Sequence, residues 1–82
     1  MMAGFVLAAV LAQGYYTPEE AAALFAQGND AYYREDYQTA RESYTKLLEH
    51  GAGGPDVLYN LGTAHLAAGE LGAAVLYLER AR

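Results

Sequence analysis

Apolar residues recur at three- and four-residue spacing along most of this chain, the period of one buried helix face. The first stripe holds Ala21, Leu24, Phe25, Gly28, Ala31 and Tyr32. It follows Thr17-Pro18-Glu19-Glu20. There the threonine hydroxyl can cap a free backbone N–H, Pro18 suits the first helical position, and Glu20 can complete a capping box. Asp36 is placed to cap a second helix with the stripe Tyr37, Ala40, Tyr44, Leu47 and Leu48. His50 and Gly51 suit its end, Gly51 by taking the left-handed cap conformation. Residues 51–55 then form a turn. Asp56 is expected to cap a third helix, which carries Leu58, Leu61, Gly62 and Leu66 and ends near Gly69. A fourth starts around Glu70 and carries Leu71, Ala74, Val75, Leu78 and Ala81. No stretch alternates with period two for long enough to be a strand. The expected fold class is all-α.

The two halves of this pattern are in register. Leu24 and Leu58, Gly28 and Gly62, and Ala40 and Ala74 are each separated by 34 residues. Tyr32 with Leu66, Tyr37 with Leu71 and Tyr44 with Leu78 keep that spacing and their apolar character. A glycine inside a helix costs about 1 kcal/mol relative to alanine. Gly28 and Gly62 carry that cost at equivalent points, which implies close approach of a partner helix. Ala40 and Ala74 are the small residues expected on that partner. The repeating unit is a tight helical hairpin.

Ahead of it, residues 3–12 are uncharged and apolar, about half the roughly 20 residues needed to span a bilayer. The run has the character of the apolar region of a secretory signal. Val10-Leu11-Ala12 before Gln13 fits a small-residue cleavage site, while the leading Met1-Met2-Ala3-Gly4 has no basic residue. A signal would place the protein in the periplasm or cell envelope and bring this segment close to a membrane. If the segment is instead a short helix packed on the domain, a cytoplasmic location follows. Residues 13–16 read as a connector.

Composition narrows the chemistry. The 82 residues carry ten acids against five bases, a net charge of −5, and that excludes the basic footprint of nucleic-acid binding. Without cysteine there are no disulfides, zinc–thiolate sites or thiol nucleophiles. The carboxylate pairs Glu19/Glu20 and Glu35/Asp36 stand at helix starts, where acids favour the dipole. No ligand-like spacing joins His50 to His65, which reads as a hydrogen-bonded packing residue. Ser43, the one serine, is expected to face away from the stripe of Ala40, with no base near it in sequence. Residues 51–54 are rich in glycine, but no Gly-Lys-Ser/Thr follows them. No catalytic residue, metal ligand or cofactor is expected.

A 34-residue helical hairpin with this small/large pattern resembles the tetratricopeptide repeat. Gly28, Ala31, Tyr32, Tyr37, Ala40 and Tyr44 carry the likeness in the first unit. Leu58, Leu61, Gly62, Gly69, Leu71, Ala74 and Ala81 carry it in the second, with Pro55 at the repeat boundary. The resemblance runs from Ala21 to Arg82; Gln27 stands where the family usually has leucine, and Glu35 where it has a turn glycine. The texture of residues 29–51 and 58–81 is also similar to the repeat region of Bacteroides-aerotolerance-type (Bat) bacterial proteins, which join a signal-like segment to such repeats. The expected division is an N-terminal segment and connector over 1–16 and a repeat domain over 17–82. Its units run over about 21–54 and 55–82, the second truncated and the pair forming the start of a right-handed solenoid.

What the resemblance implies is a concave wall built from the first helix of each hairpin. The positions on it are Phe25, Asn29, Tyr32 and Tyr33 in the first unit. In the second they are Asp56, Tyr59, Asn60, Thr63, Leu66 and Ala67. The implied function is non-catalytic binding of a peptide or partner helix by a module of a bacterial envelope protein. The alternative is self-association through the apolar stripe of the last helix, where Val75, Leu78 and Ala81 lack a following helix. A clamp for a peptide's terminal carboxylate is disfavoured. Asn29 and Asn60 match its two asparagines, but Phe25 stands where that clamp needs a lysine.

Overall fold

The computed structural model of the chain describes residues 14–82. The signal-like run and its alternative as a packed helix lie outside the described residues. Four helices follow one another: α1 (Pro18–Tyr33), α2 (Tyr37–Glu49), α3 (Pro55–Ala67) and α4 (Leu71–Ala81). No strand occurs among the described residues. α1 pairs with α2 and α3 with α4, and the two hairpins stack through α2 against α3.

Helix α1 begins as its sequence dictates. The Thr17 hydroxyl accepts from the Glu20 N–H at 3.1 Å, and the Glu20 carboxylate accepts from the Thr17 N–H at 2.9 Å. Asp36 caps α2 by accepting from the Thr39 N–H at 3.3 Å; the Thr39 side chain and, second to it, this backbone bond hold its carboxyl below its ordinary pKa. The third start differs from expectation. α3 opens at Pro55 with Gly54 as its cap, so Asp56 is inside the first turn and caps nothing. Proline's fixed φ favours the first helical position, and that preference moves the boundary ahead of the acid.

All three inter-helix turns close the same way. The N–H groups of Asp36, Ala52 and Glu70 reach back to the carbonyls of Ala31, Leu47 and His65 at 2.8–2.9 Å. The pivot residue takes positive φ each time: 63° at Glu35, 76° at Gly51 and 81° at Gly69. Glycine reaches that region freely, whereas a side chain there meets the following carbonyl. Glu35 is therefore the strained pivot of the three.

Packing within each hairpin turns on its mid-helix glycine. A Cβ on Gly28 would sit 2.7 Å from Cε1 of Tyr44, and one on Gly62 would sit 2.7 Å from Cγ of Leu78. Tyr44 and Leu78 are themselves 34 residues apart, so both hairpins use one contact. Ala40 and Ala74 are buried as expected. The core gathers Ala31, Ala40, Tyr44, Leu47, Val57, Leu61 and Ala64. Ser43, expected on the outer side of α2, is instead 4 % exposed. α2 lies between α1 and α3 and buries more of its circumference than one stripe. Tyr16 of the connector packs on this core and meets His50 edge-to-face at 4.7 Å.

A polar joint ties the hairpins at their edge. Glu70 precedes α4, but its carboxylate does not cap that helix. It takes Arg41 of α2 at 2.8 Å and Nδ1 of His65 in α3 at 3.0 Å. The His65 ring stacks nearly parallel on Tyr77, with centroids 5.4 Å apart, which is the packing role its position implied.

Candidate partner-binding recess

Where α1 and α3 face each other, an open recess of about 210 Å³ is lined by Asn29, Tyr32, Tyr33, Tyr44, Tyr59, Asn60 and Thr63. Its floor is a hydrogen-bonded chain that crosses from one hairpin to the other. The Tyr44 hydroxyl donates to Oδ1 of Asn29 at 2.5 Å, and Nδ2 of Asn60 donates to the same oxygen at 3.1 Å. Thr63 donates to the Asn60 carbonyl at 2.9 Å. Burial pushes the Tyr44 phenol above its ordinary pKa.

This network uses up the Asn29 oxygen and one N–H of Asn60. The Asn29 amide N–H groups and the Asn60 oxygen have no hydrogen-bond partner among the described residues. One side of the recess thus offers a donor and an acceptor, the pair that an extended peptide's carbonyl and N–H require. Tyrosine forms the other sides. Tyr32 is half-buried and holds Tyr33 edge-to-face at 5.8 Å and Tyr37 at 5.7 Å. Tyr33 and Tyr59 are 83 % and 57 % exposed, large rigid surfaces that the fold itself leaves uncovered.

Six of the expected wall residues therefore meet here: Asn29, Tyr32, Tyr33, Tyr59, Asn60 and Thr63. Phe25 does not line the recess. It is partly buried against the core and packs on the Tyr44 ring, with centroids 6.0 Å apart. Leu66 is half-exposed and also outside the lining, one turn beyond Thr63. Asp56 and Ala67, near the two ends of α3, are exposed and outside it as well. Tyr44 is the lining residue that the stripe of α2 hid, since its ring is core and its hydroxyl joins the hydrogen-bonded chain of the recess.

The family model described as tetratricopeptide repeat matches residues 25–82, well over half of the chain. The chain belongs to the tetratricopeptide repeat family. No curated protein and no solved structure matches it. Tetratricopeptide repeats are typically non-catalytic modules that mediate protein–protein interaction. Among the described residues, no group of three or more His, Asp or Glu side chains is placed to hold a metal ion. No described helix is long and apolar enough to cross a membrane.

Proposed function

We propose that these two tetratricopeptide hairpins form a docking module that takes a peptide segment or partner helix across α1 and α3, held at the tyrosine-lined recess. The observation that carries this reading is the pair of exposed rings, Tyr33 and Tyr59, flanking the amides of Asn29 and Asn60. Exposed tyrosine is an efficient interface anchor because it buries a large apolar area at little rotamer cost. Peptides selected by display on the immobilised chain test it. The double variant Tyr33→Ala/Tyr59→Ala should keep its helical circular dichroism and lose the selected peptides. Undiminished binding overturns the assignment.

We further propose kinship with Bat-type proteins and an envelope location. Support comes from the apolar run over residues 3–12 and the texture of the repeats. Residues 1–20 fused to a phosphatase that is active only outside the cytoplasm should yield activity in a bacterial host. A silent fusion of normal abundance counts against the location.

A second reading, array extension, rests on α4. Tyr44 and Leu47 are about 1 % exposed because α3 covers α2, while their equivalents Leu78 and Ala81 are only half-buried. Leu71 and Val75 are 63 % and 61 % exposed on the same helix. The cover that the repeat geometry calls for is the first helix of another hairpin, supplied by a second copy. Light scattering over a concentration series should show mass growth that Val75→Glu abolishes; a constant monomer mass removes this reading.

A further inference from the structure

All five Lys and Arg residues of the chain, Arg34, Arg41, Lys46, Arg80 and Arg82, lie outside the two helices that form the recess. α1 and α3 carry Glu19, Glu20, Asp30 and Asp56 and no Lys or Arg, whereas α2 and α4 each balance their acids with bases. No Lys or Arg lines the recess; Arg34, which follows Tyr33 at the C-cap of α1, is paired with Asp30 at 3.0 Å, and the chain is net −5. No lining residue carries a formal charge. A partner's carboxylate would find neutral amides, hydroxyls and ring faces there, with no cation to offset its desolvation. A partner's cation finds the opposite. The negative π-faces of several tyrosines attract it, and the Asn60 oxygen accepts from it. The perpendicular setting of Tyr32 and Tyr33, 85° between ring planes, with Tyr59 on the α3 side, supplies ring surfaces in more than one orientation.

We propose that the recess recognises a basic segment of the partner by seating one arginine or lysine head among Tyr32, Tyr33 and Tyr59. The free Asn29 amide then receives a neighbouring backbone carbonyl. This rests on the docking reading above and names its ligand chemistry. About 210 Å³ takes a single long side chain and no folded element, which suits one charged anchor on an extended strand. Arginine fits best, because its planar guanidinium can lie on a ring face while its N–H groups point to the amide oxygen.

The test is a titration of the isotope-labelled full chain with end-capped peptides Gly-Gly-Xaa-Gly-Gly, where Xaa is arginine, citrulline or glutamate. Citrulline keeps the shape of arginine without its charge. The arginine peptide should shift the side-chain amide signals of Asn29 and Asn60 and bind roughly fivefold or more tightly than the citrulline peptide. Tyr33→Leu/Tyr59→Leu retains apolar surface and should abolish that preference. Tyr33→Phe, which keeps the π-face, should preserve it. Equal affinity for arginine and citrulline, with the amides still shifting, overturns the cation assignment and leaves the docking reading intact. A preference for glutamate does the same. A preference that survives the leucine variant places the attraction in the chain's overall negative field and also overturns the proposal. Unmoved amides with every peptide at millimolar concentration overturn the cation assignment, while the docking reading is decided separately by the display-selected peptides.

Discussion

Glu35→Gly should stabilise this protein, although it deletes a side chain and adds no contact. Glu35 stands at φ 63°, where the L-configured Cβ crowds the following carbonyl at a cost of about 1–2 kcal/mol. Glycine removes that cost but loses about 0.4–1 kcal/mol through the greater freedom of the unfolded chain. The net gain is about 0.5–1 kcal/mol, or roughly 2–8 °C in Tm for a domain of this size. Two variants isolate the cause. Glu35→Ala keeps the Cβ and should gain nothing. Gly69→Ala introduces a Cβ at the equivalent pivot, φ 81°, where that atom would meet nothing within 4 Å beyond its own residue and chain neighbours. A packing clash is thereby excluded, leaving only the local backbone cost, and the variant should lose about what Glu35→Gly gains. Urea unfolding followed by helical circular dichroism measures all three. Equal stability of Glu35→Gly and Glu35→Ala would refute the backbone argument, because the two differ at that position only by the Cβ.

Other outcomes follow from features of the same kind. Gly28→Ala should destabilise by about 1–2 kcal/mol despite its better helix propensity, since its Cβ would press on Tyr44, a ring pinned by Asn29 and Phe25; the midpoint of urea unfolding reads the loss. Tyr44→Phe leaves Asn29 Oδ1 with Asn60 as its sole donor and should cost about 1 kcal/mol in the same assay. Asp36, whose folded pKa lies below its unfolded one, adds stability that is present above the unfolded pKa. That contribution is lost as pH falls through the folded value. Asp36→Asn should therefore show a shallower decline in stability than wild type between pH ~4 and the acid limit; parallel declines count against the linkage.

The first two helices were legible to their starts because each has a local cause. Thr17 with Glu20, and Asp36 with Thr39, form caps that need only three neighbouring residues. Gly28 and Gly62 betrayed the hairpin because a mid-helix glycine has no local justification, so the reason had to be tertiary. What sequence concealed depends on layers. Ser43 is buried because α2 has neighbours on two sides, and Val57 joins the core because α3 opens at Pro55 and faces α2 there. For the recess, residue type and resemblance placed six lining residues. Phe25 and Leu66 could not be separated from them by spacing alone, since a wall position and a packing position on one helix differ by less than a turn. Tyr44 was hidden for another reason. One side chain there serves the core with its ring and the recess with its hydroxyl.

The chain of hydrogen bonds from Tyr44 through Asn29 to Asn60 has a mechanical consequence. Tyr44 and Asn29 belong to the first hairpin and Asn60 to the second, so one acceptor oxygen fastens the units together and also shapes the cavity floor. Curvature and ligand fit are thereby one variable. A tilt that drew α3 away from α1 would lengthen the Asn60 bond and widen the recess in the same movement. Neither hairpin alone owns the recess, and a guest that fills it works as a wedge or a rivet on the superhelix.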